Sequence, residues 1–256
     1  MTTDGTHATL RTKIYTNYQT KIEILDPPLP LLDKYPPSLK IRLVITKNII
    51  MREPRFWTEH LADHPLCIRF KTLYPTIKRE VLAFLKQPHA LHDYPQYKIY
   101  YDGQGKNLYD NIWKAAPLSK YEGEYIDTEQ DTPESAYART VVAYAKEQCP
   151  TIDYCIKEYE DKGILRNAFI SKLEPGSVIH PHKGRSNDYM RIHLGIQEDL
   201  MCKITVDDET RTWKEGQILA FKDGEPFFHS VKHEGDKTRI ILSVDMRLDS
   251  LGLDKT

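Results

Sequence analysis

From Arg166 onward the chain is built of short strand-like runs separated by turn residues. The runs are NAFISKL, SVIHPH, DYMRIHLGI, MCKITV, TRTW, QILAF, FFHSV and RIILSVDM; PG, KGRSN, QED, DDE, KEG, KDGEP and HEGDK lie between them. Short strands at regular spacing, each closed by residues that favour turns, admit few folds: a β-sandwich or a jelly roll. The 16 Pro outnumber the 12 Gly and 16 Tyr are present, which suits a loop-rich β protein better than a helical bundle.

The first half reads differently. Residues 1–20 are polar and aperiodic. KIEILDPPLPLL (21–32) has too many prolines for a helix interior or a central strand, so it reads as an extended surface segment. LKIRLVITKNII (39–50) is β-branched and reads as a strand. In EPRFWTEHLADHPLCIRF (53–70), His60 and His64 are four apart and suggest a metal pair with Arg55 nearby; without a third ligand the plainer reading is a surface helix face. PTIKREVLAFLKQ (75–87) puts Ile77, Val81, Leu82 and Leu85 on one helical stripe after a proline near its first turn. YKIYYDGQG reads as a strand and a turn. Its Gly103 and Gly105 do not make a phosphate loop, because no Lys-Ser/Thr or helix follows. Residues 122–132 read as an exposed acidic loop, 133–148 as a helix and TIDYCIKEYED as another.

A chain of 256 residues can bury a core without disulfide or metal staples. Its net charge of −1 argues against nucleic acid as a partner. Cys67, Cys149, Cys155 and Cys202 form no CxxC pair and read as reduced, buried thiols. No apolar run approaches the ~20 residues of a membrane helix, and MTTDGTHATLRTK lacks an apolar leader. The expectation is a soluble, cytoplasmic protein with no membrane partner. Its oligomeric state is left open.

The chemistry concentrates between Ser171 and Leu194 and again around His229. His180 and His182 are two apart and would share one face of a strand, with Pro181 marking an edge or strand end. His229 lies in FFHSV. Two histidines brought together by a jelly roll are a common way to bind Fe(II). The carboxylate ligand that usually stands two residues after the first His is absent: Gly184 is there. Arg239 opens an apolar strand, and Arg191 lies in another, with His193 two residues on. A buried-strand arginine is costly without an anion, so the pair suggests carboxylate recognition. The alternative for Arg191 is an internal salt bridge, for example with Asp245 or Glu174.

SKLEPGSVIHPHKGRSNDYMRIHLGI, followed by TRTWKEGQILAF and by His229 ten residues before Arg239, resembles the aspartyl/asparaginyl β-hydroxylase family from about Trp113 through Asp245. The resemblance implies a mainly β, double-stranded β-helix (jelly roll, cupin-like) fold with flanking helices. It implies a dioxygenase using Fe(II), 2-oxoglutarate and O2. By position, His182 and His229 match the iron ligands and Gly184 the glycine that replaces the carboxylate ligand. Ser171, His193 and Arg239 match residues that hold 2-oxoglutarate, Arg239 taking the distal carboxylate. Arg191 matches a contact to the substrate's acidic group, and Trp113 a pocket wall. The chain departs from the family at FKDGEPFFH, where Lys222 and Asp223 stand in place of a paired-aspartate stretch, and the residues before Trp113, all of 1–70 included, match nothing in it.

These readings divide the chain into an N-terminal extended and helical wrapping segment, 1–72, and an oxygenase domain with covering helices, 73–256. The expected activity is hydroxylation of an unactivated C–H on an amino-acid-like, carboxylate-bearing substrate: a small molecule, a peptide or a carrier-bound residue. The family also has members that act on lipids, and the lack of an apolar span argues against a lipid-embedded one. One alternative is a halogenase taking chloride at the position Gly184 leaves vacant; another is a cupin-like binding protein without oxygenase activity.

Overall fold

Side-chain alternation along the strands sets the layers. In the computed structural model the described residues are 53–94, 104–119, 133–184 and 186–253, with three further short strands, β1 (Ile14–Tyr15), β2 (Lys21–Ile22) and β4 (Lys98–Ile99). The larger sheet has six strands in the order β13 (Ile218–Lys222), β10 (Tyr189–Gln197), β15 (Arg239–Arg247), β8 (Leu165–Leu173), β7 (Trp113–Pro117) and β3 (His92–Asp93). The second has five: β12 (Glu209–Thr212), β11 (Cys202–Val206), β14 (His229–His233), β9 (Val178–His182) and β6 (Tyr109–Asp110). Every ladder in both sheets is antiparallel. A further strand, β5 (Lys106–Asn107), pairs with β4.

Along β15 the odd and even positions separate. Ile241 packs with Leu173, Ile179, Ile204, Phe221 and Val231 from both sheets, forming the core between them. Ile240, Leu242, Val244 and Met246 pack on the opposite face with helical residues. Nearly all of β15 is therefore buried, as a central strand covered on both faces must be. This is a mainly β, cupin-like jelly roll with a helical layer on one sheet.

Among the described residues three helices make that layer: α1 (Pro65–Phe84), α2 (Pro133–Gln148) and α3 (Pro150–Asp161). The last two lie where the sequence places them. The first starts ten residues before Pro75, so Pro75 lies inside it rather than near its start. The buried stripe explains this: Leu66, Cys67 and Phe70 continue the face of Ile77, Val81 and Phe84, while Pro75 points to solvent. Pro65 takes the first turn, and His64 Nδ1 accepts from the Leu66 N–H at 3.3 Å. His64 is thus a helix cap and His60 a ring neighbour of Trp57, at 5.0 Å between centroids, so the two are not a metal pair. The surface-helix reading of 53–70 is corrected too, since Phe56, Trp57 and Leu61 are buried ahead of the helix.

The boundary expected at residue 72 falls inside α1. The chain instead separates into Met1–Pro54 and Arg55–Thr256. Residues 55–72 go with the jelly roll because Trp57 N–H donates to the Ala220 carbonyl at 2.7 Å and Thr58 Oγ1 accepts from Ala220 N–H at 3.0 Å, extending the edge at β13. In the first unit β1 and β2 form an antiparallel pair. The strand expected at 39–50 and the loop at 122–132 lie outside the described residues. Among the described residues no helix is long and apolar enough to cross a membrane.

Candidate active site

One pocket between the two sheets is lined by Trp113, Ser171, His182, Arg191, His193, His229 and Arg239, seven of the residues singled out from the sequence. They arrive on opposite walls. His182 and His229 face each other on the paired strands β9 and β14 of the five-stranded sheet. The others stand on β7, β8, β10 and β15 of the six-stranded sheet.

His180 does not share the face of His182. Between the pairs His229↔His182 and Val231↔Ile179, β9 carries one residue more than β14. That bulge reverses the alternation, so Ile179 and His182 line the pocket, while His180 Nε2 meets Asp110 Oδ2 at 2.9 Å. The extra residue near Pro181 is what aims His182 inward.

The two histidines fit a metal. His182 Nδ1 lies 2.7 Å from the His180 carbonyl, which puts the proton on Nδ1 and the lone pair on Nε2. The rings of His182 and His229 are 4.2 Å apart, and neither ring nitrogen of His229, 4% exposed, has a hydrogen-bond partner. Burial, followed by the charges of His182 and Arg191, pushes His229 well below the usual imidazole pKa, so its ring is neutral and able to ligate. Among the described residues no group of three or more His, Cys, Asp or Glu side chains is arranged to hold a metal ion.

Gly184 is close to a carboxylate from another strand. Asp223 follows β13, and its Oδ2 lies 2.0 Å from where a Cβ on Gly184 would stand. Its Oδ1 is 3.3 Å from His229 Nε2 and 2.7 Å from an Arg191 nitrogen. Asp223 thus places negative charge beside the histidines from the opposite sheet. The sequence showed it only as a departure in FKDGEPFFH.

The opposite wall fits an anion. Arg239 is 1% exposed; its Nε has no partner, and no carboxylate among the described residues pairs with it. Burial pushes its pKa down. A guanidinium in this position is costly without an anionic ligand. Ser171 Oγ accepts from an Arg239 nitrogen at 3.1 Å and from Trp113 Nε1 at 2.9 Å, which leaves its own hydroxyl hydrogen to donate. Trp113 is fixed by stacking on Tyr94, with centroids 3.6 Å apart. His193 Nδ1 accepts from Trp213 Nε1 at 3.0 Å, and burial with the charges of Arg191 and Arg239 holds the ring neutral, so its proton is on Nε2. Arg239, Ser171 and His193 thus offer donors to one carboxylate-bearing ligand. Trp213 escaped the sequence reading although it lies in TRTWKEG; it holds His193 and stacks 4.9 Å from the Arg239 guanidinium.

Arg191 follows the internal-pair alternative. Its Nε and one terminal nitrogen each lie 2.8 Å from Asp245, and the other terminal nitrogen meets Asp223 at 2.7 Å. Glu174 instead pairs with Lys172 at 2.6 Å. Although burial opposes its charge, Asp223 and Asp245 hold Arg191 protonated, above the usual guanidinium range. An acidic substrate group on Arg191 would have to displace one of them.

The model of the aspartyl/asparaginyl β-hydroxylase family matches residues 71–248. Aspartate beta-hydroxylase domain-containing protein 2 of Mus musculus is 38% identical over 104 residues, covering 36% of this chain and 30% of that protein. Ornithine lipid ester-linked acyl 2-hydroxylase of Rhizobium tropici is 36% identical over 84 residues, 32% of this chain and 29% of the relative. The matched stretches thus span less than a third of either relative. Among solved structures, a Pseudomonas putida prolyl-4-hydroxylase aligns over 74% of this chain and 96% of its own, at 13% identity and a TM-score of 0.36.

Proposed function

The chain belongs to the aspartyl/asparaginyl β-hydroxylase family, and from that premise we propose that it is an Fe(II)- and 2-oxoglutarate-dependent hydroxylase of an unactivated C–H bond in an amino-acid-like substrate. His182 and His229 would hold the iron through neutral imidazole nitrogens. Iron bound there would supply the O2-dependent oxidation that no side chain can perform, with 2-oxoglutarate converted to succinate and CO2. Arg239 would take the distal carboxylate of 2-oxoglutarate, with Ser171 and His193 donating to the same ligand. Apolar walls including Ile179, Ile204, Val231 and Ile241 keep bulk water from the reacting centre. The observation that carries the reading is Arg239, buried between two sheets with no anion of its own.

Asp223 weighs against chloride and the halogenase reading, because its carboxylate crowds Gly184, where a halide would have to sit. The free amino acid, the peptide residue and the carrier-bound residue all fit the proposal. A reducing, cytoplasmic setting accords with four buried free thiols.

The test is succinate release from 2-oxoglutarate under Fe(II) and air, with a panel of aspartate- and asparagine-containing substrates and His182→Ala as control. Substrate-stimulated succinate that vanishes in the variant is expected, with a product heavier by one oxygen. Equal turnover in His182→Ala would defeat the assignment.

A further inference from the structure

The six-stranded sheet carries polar groups on its inner face that the roles above do not use. Asn167 is 5% exposed and Ser243 fully buried, and neither Asn167 Oδ1 nor Ser243 Oγ has a hydrogen-bond partner. Register places them together. Asn167 pairs with Asp245, which pairs with Arg191 on the next strand; Ser243 pairs with Phe169 on one side and His193 on the other. Residues two apart share a face, so Asn167 and Phe169 on β8, Ser243 and Asp245 on β15, and Arg191 and His193 on β10 all point the same way. Directly opposed residues have Cβ atoms about 5 Å apart, and diagonal ones remain in reach of each other. Phe169, Arg191 and His193 line the pocket, so the two orphan oxygens stand beside its wall.

Two buried polar atoms without partners on one face are expensive unless a ligand completes them. The charge around them sets the ligand's sign: Asp223 and Asp245 face Arg191, whose nitrogens are already paired, and Arg239, whose charge the 2-oxoglutarate of the proposed function would neutralise. We propose that Asn167 and Ser243, beside the Asp245–Arg191 pair, form the subsite that reads the amine end of the substrate, so that the enzyme selects a hydrogen-bond-donating ammonium group at this place. The inference rests on the hydroxylase reading and names the substrate class for that site. It also gives Arg191 a positioning role: it fixes the Asp245 carboxylate next to the incoming ammonium.

The test uses the full chain loaded with Mn(II) and 2-oxoglutarate, titrated with free L-amino acids and with their N-acetyl forms, binding being followed by thermal shift. Wild type should bind at least one free amino acid at least about tenfold more tightly than its acetylated form, as expected when a site's buried polar groups lose their donor. Asn167→Leu should erase that preference while its dissociation constant for 2-oxoglutarate changes by less than about twofold, which also certifies folding. Asn167→Asp, which adds negative charge, should keep or sharpen the preference. Equal binding of free and acetylated forms, absence of binding by any free amine, or an undiminished preference in Asn167→Leu would overturn the proposal. Failure of wild type to bind 2-oxoglutarate at all is a separate result; it would remove the hydroxylase reading and this inference with it.

Discussion

At the scale of single residues, Arg239 separates a ligand site from a structural salt bridge. Replacing one partner of a built-in ion pair destabilises the protein, whereas removing a buried charge that lacks a partner does not. Arg239→Leu should leave the melting temperature of the ligand-free protein unchanged or higher. It should also weaken 2-oxoglutarate by about 2–5 kcal/mol, measured by calorimetry with Mn(II). A large drop in ligand-free stability would show that the guanidinium serves the fold. Gly184→Ala is expected to destabilise by about 1–3 kcal/mol in denaturant titration, since its Cβ would collide with the Asp223 carboxylate. The cost should shrink in the background of Asp223→Gly, so the two positions should be non-additive. Buried His193 and His229 have folded pKa values well below the unfolded value of 6.5. As pH falls, the unfolded chain binds protons first. Their contribution is therefore complete above about pH 6.5 and is lost below it, at up to about 1.4 kcal/mol per pH unit for each ring. Denaturation midpoints of the metal-free protein on either side of that value should show this slope, and His193→Gln should flatten it. The sequence made His182, His229 and Arg239 legible because residue type, spacing and motif agree there. Asp223, Trp213 and Asn167 were not legible, because their roles depend on which strands pair and in what register.

Among the elements, β9 shows how a local irregularity serves the site. Strict alternation would place His180 and His182 together; the extra residue near Pro181 separates them and turns His182 inward. Deleting Pro181 should remove the bulge and leave Ile179 and His182 two apart, so regular alternation keeps both on the pocket face. Mn(II) binding should then survive at near-wild-type far-ultraviolet circular dichroism, whereas lost Mn(II) affinity would contradict this reading of the bulge. Helix α1 teaches a complementary lesson. The proline rule began the helix at Pro75, but burial of Leu66, Cys67 and Phe70 carries it back to Pro65 and outweighs one missing hydrogen bond on the solvent side. The strands after Arg166 were legible from alternation and turn chemistry alone. Their assignment to two separate sheets was not, since pairing partners such as β10 and β15 are far apart in sequence.

For the whole molecule, the helical layer and the inter-sheet core bury every cysteine. Burial pushes the thiols of Cys67 and Cys149 up to about 12 and that of Cys155 to about 11, and raises Cys202 as well. A thiol reagent should therefore find almost none of them in the native protein and all four after denaturation. Rapid native labelling would mean that these layers open readily. The division of the pocket between the two sheets also bears on how long the protein lasts. The imidazole pair belongs to one sheet and Arg239 to the other, so a metal chelated by 2-oxoglutarate would brace the two walls of the barrel like a clasp. At a hundred times its dissociation constant such a ligand adds about 2.7 kcal/mol to the closed form. Starving a cell of iron would then do more than idle the catalyst: the unclasped barrel would open more often, and proteases would thin its numbers.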